Sequence, residues 1–132
     1  MGTSHTVSFS AGQDGWMGRT SLGTEVSIGA AQGKVRPYDL LLLALASCLN
    51  ATFEEVCQKM KLTWERVDLT VSGEKRDEVP TTLKHCSINA AVTGGSDKEK
   101  LTRAFDIASR YCSVYQTVQQ VAHMEWSITF SS

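Results

Sequence analysis

The longest unbroken hydrophobic pattern in the chain covers residues 36–62, and it predicts one long helix. This stretch contains no glycine. Its only proline, Pro37, suits the first turn of a helix, where a backbone N–H has no intrahelical partner. Residues 40–49 are apolar except for Ser47 and Cys48, so this half of the helix is apolar on nearly every side. Because that run is about half of the ~20 residues that a membrane span needs, and charged residues follow it, we expect a central helix buried in protein.

Alternating apolar and polar residues on both sides of this helix predict six short strands. Three precede the helix and form an antiparallel sheet, two follow it, and one closes the chain. The predicted strands cover residues 5–10, 16–22, 25–30, 67–71, 86–92 and 124–130. The sequence therefore predicts an α+β fold with antiparallel sheets around a long central helix.

Two further helices are predicted before the last strand. Ser96 and Glu99 form the capping-box pattern S-x-x-E ahead of a helix over residues 97–111. The same kind of pattern recurs from Ser113, so another helix is expected to begin just beyond Cys112. Cys112 would then lie at a helix N-terminus, where partial positive charge lowers the pKa of a thiol.

Length and charge limit the possible assemblies and partners. A chain of 132 residues suits a single domain over residues 1–132. A helix of about 25 residues would be about 37 Å long, more than the diameter of so small a domain, so we expect a homodimer in which a second subunit covers the protruding end. The net charge is −1 and no basic run occurs, which disfavours nucleic acid as a partner. The N-terminus lacks a signal-peptide pattern, so we expect a cytoplasmic protein with no membrane partner.

The four cysteines, Cys48, Cys57, Cys86 and Cys112, are the candidates for chemistry. None forms a CxxC motif, and the histidines lie at no zinc-ligand spacing from a cysteine, so no metal and no cofactor are predicted. Cys57 lies on the opposite side of the helix from Cys48, and Cys86 is in phase with the inward residues of its strand, so both are interpreted as packing residues. For Cys48, packing and reactivity both remain open, because apolar burial alone would make a thiol inert.

The segments PYDLLLLALASC and ASRYCSVYQTV resemble the family of osmotically inducible protein C and the organic hydroperoxide resistance proteins. The resemblance covers nearly the whole chain and implies an OsmC-like fold: an intertwined α+β homodimer with active sites at the subunit interface. It also implies a role in the oxidative stress response. Cys48 would be the peroxidatic thiol that attacks an organic hydroperoxide, and Cys112 would be the resolving thiol that forms a disulfide with it. A dithiol would then reduce the disulfide.

The chain departs from the peroxidase members of that family at two positions. In the motif GQDG this chain has Gln13 where the peroxidase members share an arginine. It has Tyr38 where they share a glutamate. The residues that could substitute are Arg19, Arg36, Asp39 and Glu55. Each has an alternative interpretation: Arg19 as a solvated strand residue, Arg36 as a solvated residue near the helix cap, Asp39 as a side chain turned elsewhere, and Glu55 as a solvent-facing carboxylate.

Two hypotheses about function follow. The first is a thiol-dependent peroxidase that reduces hydrophobic organic hydroperoxides through Cys48 and Cys112. The second, which follows from the missing glutamate and displaced arginine, is a non-peroxidase member that binds a small apolar or thiol-reactive ligand in the interfacial pocket.

Overall fold

The computed structural model describes residues 2–132 and shows an α+β chain. The elements of the described residues are, in order, β1 (Val7–Gly12), β2 (Gly15–Thr20), β3 (Glu25–Ile28), α1 (Pro37–Met60), β4 (Arg66–Lys75), β5 (Leu83–Thr93), α2 (Lys98–Tyr111), α3 (Ser113–Gln119) and β6 (His123–Ser131). The predicted fold class, element order and helix start at Pro37 are confirmed. The chain forms two compact units, one ending at Leu41 and one beginning at Leu42. The assignment of residues 1–132 to a single domain stays a prediction.

The N-terminal unit contains the antiparallel sheet β1-β2-β3. A tight turn between β1 and β2 ends at Gly15, whose φ of 118° is strained for a side-chain-bearing residue. Phe9 and Trp16 pack edge to face with ring centroids 6.0 Å apart, although both are exposed. The predicted strands before the helix are therefore present, with bounds shifted by one or two residues.

The second unit contains the sheet β4-β5-β6, which differs in one respect from the expected antiparallel arrangement. β4 and β5 pair antiparallel, with Val67 opposite Val92, whereas β5 and β6 pair parallel, with Ile88 opposite Trp126. The physical reason is the connection: α2 and α3 lie between β5 and β6 and return the chain to the same end of the sheet. This sheet is therefore mixed.

The core of the second unit consists of apolar side chains from α1, α2 and the inner face of this sheet. On α1 the buried residues recur every fourth position, and on β5 they recur every second position from Cys86 to Val92, as helix and strand periodicities require. Phe53 of α1 lies at the centre, with its ring centroid 6.1 Å from that of Trp64 and 5.5 Å from that of Phe105. Phe105 in turn packs edge to face on Trp126 at 5.0 Å. These four rings join α1, α2 and β6.

Helix α1 is only partly enclosed within one chain, so its burial on every side, which would need the second subunit, stays a prediction. Leu45 and Leu49 are fully buried, whereas Leu43 is 61% exposed and Ala44 and Ala51 are also exposed. By length and composition α1 could cross a membrane, but the core helix of a soluble protein meets the same criterion. The exposed side of α1 is apolar over residues 43–51 apart from Ser47, and polar or charged side chains are exposed beyond residue 53.

The helix α2 begins as predicted within a residue, but with a different cap. Asp97 has extended backbone angles, and its carboxylate accepts a hydrogen bond from the Lys100 N–H at 3.1 Å. The Ser96 hydroxyl, expected to cap the helix, instead accepts from the Thr63 N–H at 3.1 Å. Aspartate is at least as good a cap as serine, which leaves Ser96 available to tie the helix start to the segment before β4.

Replacement of Phe53 by alanine should lower the free energy of unfolding by about 3–5 kcal/mol, because a fully buried ring is lost and a cavity remains. Urea denaturation followed by tryptophan fluorescence measures this change. Val79, which is 90% exposed, provides the control, and Val79→Ala should alter stability by less than about 0.5 kcal/mol. Equal effects of the two substitutions would contradict the assigned core.

Candidate active site

The sulfurs of Cys48 and Cys112 lie 3.2 Å apart, although the two residues are separated by 64 positions in the chain. Cys48 is carried by α1, and Cys112 stands between α2 and α3. The pair is present as two thiols, and the Cys112 thiol donates a hydrogen bond to the Cys48 sulfur. Two thiols in direct contact are the strongest chemical feature of the second unit.

Cys112 is held in place by both helices that it separates. Its backbone is extended, with φ −70° and ψ 118°, which ends α2. Its N–H still donates to the Ala108 carbonyl at 2.8 Å, while its sulfur accepts from the Tyr115 N–H at 3.4 Å and so caps α3. The prediction of a helix just beyond Cys112 is confirmed, but Cys112 itself, rather than Ser113, is the cap residue. Its side chain is fully buried.

Cys48 is the more accessible of the two thiols. Its side chain is half-buried, and the residues on either side of it along the buried stripe of α1 are Leu45 and Leu49. The Ser113 hydroxyl lies 3.8 Å from the Cys48 sulfur. A ligand from solvent could therefore reach the Cys48 thiol, with the Ser113 hydroxyl beside it, but not the fully buried Cys112 thiol.

The surroundings of Cys48 favour its thiolate. Partial burial raises its pKa, but hydrogen bonds oppose this effect: they come from the Val114 N–H, the Cys112 thiol, and the hydroxyl and N–H of Ser113. The hydrogen bonds prevail, and the pKa of Cys48 lies below its ordinary value. Because the thiolate is the nucleophilic form, these surroundings favour Cys48 over Cys112 as a nucleophile.

The surroundings of Cys112 have the opposite effect. The pKa of Cys112 is raised to about 11, chiefly by burial; the hydrogen bond to Cys48 and the negative charge of that thiolate also raise it, whereas the N–H groups of Tyr115 and Val114 oppose the shift. The expected lowering of the Cys112 pKa at a helix N-terminus is therefore wrong. Complete burial and a neighbouring thiolate outweigh the partial charge of one short helix.

The arginines predicted as possible site residues form ion pairs within the N-terminal unit. Arg19 on β2 pairs with Glu25 on β3 across the sheet. The Arg36 guanidinium contacts both carboxylate oxygens of Asp39 at 2.9 Å, and the Arg36 N–H donates to the same carboxylate at 3.0 Å. Hydrogen bonds from Arg36 hold the pKa of Asp39 below its usual value. Asp39 thus stabilises the first turn of α1, and both arginines have carboxylate partners of their own.

The other residues considered in the sequence analysis form no described contact with Cys48 or Cys112 that would give them a part in thiol chemistry. Glu55 is exposed on α1. Cys57 and Cys86 are buried, and burial raises the pKa of each thiol, so both suit the packing role expected of them.

Ser113 and Val114 were not predicted to belong to the site. Both act on Cys48, one through its hydroxyl and N–H and the other through its N–H. The sequence signal that could have identified them is their position directly after Cys112, since any fold that places Cys112 beside Cys48 also places the residues that follow Cys112 near Cys48.

Comparisons with known proteins agree with this fold. The sequence profile of the family described as OsmC-like protein matches residues 29–127. Protein YhfA of Escherichia coli (strain K12) is 23% identical over 116 residues, which cover 85% of this chain and 87% of YhfA.

Two solved structures show the likeness in three dimensions. The OsmC-like protein from Mycoplasma pneumoniae superposes with a TM-score of 0.89 at 15% identity over 100% of both chains. An organic hydroperoxide resistance protein OsmC from Legionella pneumophila superposes with a TM-score of 0.79 at 14% identity, over 96% of this chain and 97% of its own. These superpositions show the fold, and the profile match, which spans most of the chain, shows the family. This chain belongs to the OsmC-like protein family.

Proposed function

We propose that this protein is a thiol-dependent peroxidase that reduces organic hydroperoxides through Cys48 and Cys112. Membership of the OsmC-like family supports a redox or peroxide-resistance role. The observation that carries the proposal is the 3.2 Å contact between a thiol whose pKa is lowered and a thiol that stays protonated. Cys48 is suited to attack the peroxide as a thiolate, and Cys112 is placed to form a disulfide with Cys48 afterwards.

In the first step the Cys48 thiolate attacks the terminal oxygen of the hydroperoxide. The O–O bond breaks, an alkoxide leaves and takes up a proton to become an alcohol, and Cys48 becomes a sulfenic acid. The sulfur is oxidised by two electrons and the peroxide is reduced by two. The donors around Cys48, from residues 112–114, stabilise the negative sulfur before attack.

In the second step the Cys112 sulfur attacks the sulfur of the sulfenic acid. The S–O bond breaks, the hydroxyl group leaves with the Cys112 proton as water, and a disulfide forms. A disulfide bond is about 2.05 Å long, so the two sulfurs need to approach by about 1.2 Å from their separation of 3.2 Å. An external dithiol reduces the disulfide and restores both thiols.

A homodimer is part of this proposal, as the sequence predicts. Leu43 and the small residues Ala44 and Ala51 expose an apolar side of α1, and small residues allow two helices to approach closely. A partner helix on that side would enclose the peroxide next to Cys48 and exclude water from it. The cytoplasmic location stays a prediction; a reducing compartment would keep all four cysteines as thiols.

A second candidate function is ligand binding without turnover. It is favoured by the ion pairs of Arg19 and Arg36, which give both guanidinium groups partners in the N-terminal unit. That unit also contains an apolar cavity of about 590 Å³ lined by Trp16, Ile28, Ala30 and Pro37, with Lys34 and Arg36 as its cations. Such a cavity has the size and composition of a site for a small apolar ligand.

Replacement of Cys48 by serine should abolish dithiol-dependent consumption of an alkyl hydroperoxide, because serine cannot supply a thiolate. Replacement of Cys112 by serine should leave a sulfenic acid at Cys48 that a dimedone-type reagent traps. Cys57→Ala and Cys86→Ala are the matched controls and should retain turnover. A Cys48→Ser protein as active as the wild type would exclude the peroxidase, and negligible wild-type turnover with binding of an apolar ligand would favour the second candidate.

The rate of Cys48 alkylation should reach half of its maximum at a pH below the ~8.5 typical of free cysteine, because the lowered pKa increases the thiolate fraction near neutrality. Ser113→Ala removes one donor and should move this midpoint to higher pH. Ser47→Ala is the matched control, since the Ser47 hydroxyl donates to the Leu43 carbonyl instead. The midpoint is read by mass spectrometry of the labelled peptide. An unshifted midpoint in Ser113→Ala would refute the role of that hydroxyl.

Sedimentation equilibrium should give the wild-type protein a mass of about twice 14.4 kDa. Leu43→Glu should shift the mass toward that of one chain, because a charge on the exposed side of α1 would be desolvated in the dimer. Leu22→Glu, at a position 92% exposed, is the control and should leave the mass unchanged. A dimer that tolerates Leu43→Glu would place the interface elsewhere.

A further inference from the structure

A second cluster of chemically active side chains lies on the outer face of β5 and β6, the face opposite the core. His85 and His123 are paired in register across these parallel strands, and Glu125 is two residues further along β6. Their inward-facing neighbours Cys86 and Met124 belong to the core or pack against it. Strand alternation therefore places all three side chains on one side of the sheet.

The ligating atoms of this cluster converge. The Glu125 Oε1 atom lies 3.1 Å from His85 Nε2 and 3.5 Å from His123 Nε2. One ligand atom from each residue lies within 4.8 Å of the other two. The imidazole rings are stacked, with centroids 5.5 Å apart and planes inclined by 27°, so their Nε2 atoms approach the same carboxylate.

These distances suit a tetrahedral cation. A zinc ion holds nitrogen and oxygen ligands at 2.0–2.2 Å, which in a tetrahedron places neighbouring ligand atoms about 3.3–3.5 Å apart. The two N···O distances, 3.1 and 3.5 Å, lie within about 0.2 Å of that range. The two imidazole nitrogens lie within 4.8 Å of each other, so all three ligand atoms surround one small volume.

We propose that His85, His123 and Glu125 form a binding site for a divalent transition-metal cation of the Zn²⁺ type. Two neutral imidazoles and one carboxylate are ligands that such ions favour, and together they leave a fourth coordination position open. The site is accessible from solvent, since the side chains of His123 and Glu125 are 70% and 59% exposed. Glu74 is paired with His85 from the other neighbouring strand and adds a further carboxylate on this face.

This site is independent of the proposed peroxidase. Its ligands come from the outer face of the sheet, whereas Cys48 and Cys112 belong to or pack against the core. A bound cation would join β6 to β5 through side chains in addition to their backbone hydrogen bonds. It should therefore raise the melting temperature without being required for thiol chemistry.

Isothermal titration of the reduced, full-length protein with Zn²⁺ tests the proposal, with a phosphine as the reductant. The variants are His123→Ala and Glu125→Gln, and the second keeps the shape of the side chain while removing its charge. His5→Ala is the matched control, because His5 is an exposed histidine outside the cluster. Absorption spectra of the Co²⁺-loaded protein identify the ligands, since thiolate ligands add a charge-transfer band in the near ultraviolet.

The proposal predicts one equivalent of Zn²⁺ bound equally by wild type and His5→Ala, with affinity at least about tenfold lower in both other variants. The Co²⁺ spectrum should show tetrahedral ligand-field bands without thiolate charge transfer. Binding that is absent at millimolar Zn²⁺, or that falls less than tenfold in either variant, would overturn the proposal. A spectrum showing thiolate ligands alone would overturn it as well, by assigning the ion to the cysteines.

Discussion

The packing of α1 against α2 through Phe53 and Phe105 is the constraint on which the rest of the second unit depends. Phe53 follows Cys48 on α1, and Phe105 precedes Cys112 on α2, with ring centroids 5.5 Å apart. Because both rings are fully buried, neither helix can slide along the other without opening the core. The aromatic contact therefore fixes the approach of the two helices, and with it the separation between the sulfur of Cys48, in the middle of α1, and that of Cys112, directly after α2.

The contact between the sulfurs makes the two thiols unlike each other. The same hydrogen bond that helps to lower the pKa of Cys48 helps to raise that of Cys112. In the proposed reaction this difference sets the order of events, because Cys48 is the group that ionises first. Conversion of Cys48 to a neutral sulfenic acid would then remove a charge that opposes ionisation of Cys112. The second thiol becomes easier to ionise at the step in which it must attack.

Much of this fold could be predicted from local sequence pattern. The long helix from Pro37, the buried stripe of α2 with Leu101 and Phe105, and the alternating last strand all follow from periodicity, which depends on neighbours along the chain. The cap of α2 was predicted one residue too early, since Ser96 and Asp97 are both good caps and only the packing of Thr63 decides between them. Of the candidate site, the choice of Cys48 and Cys112 came from the family resemblance, and no local sequence pattern could predict that their sulfurs are in contact.

The pairing of β5 with β6 shows most clearly what local pattern leaves out. Alternation predicts which residues of a strand face inward, as it did for Cys86, but it does not state which strand lies beside it or in which direction. His85 and His123 are far apart in the sequence, and only the parallel register places them opposite each other with Glu125 in reach of both. A search for ligands at short spacing along the chain therefore finds no metal site. The spacing that matters for this cluster is the distance of about 4.8 Å between neighbouring strands. That distance is set by backbone hydrogen bonds, and local sequence does not show which strands form them.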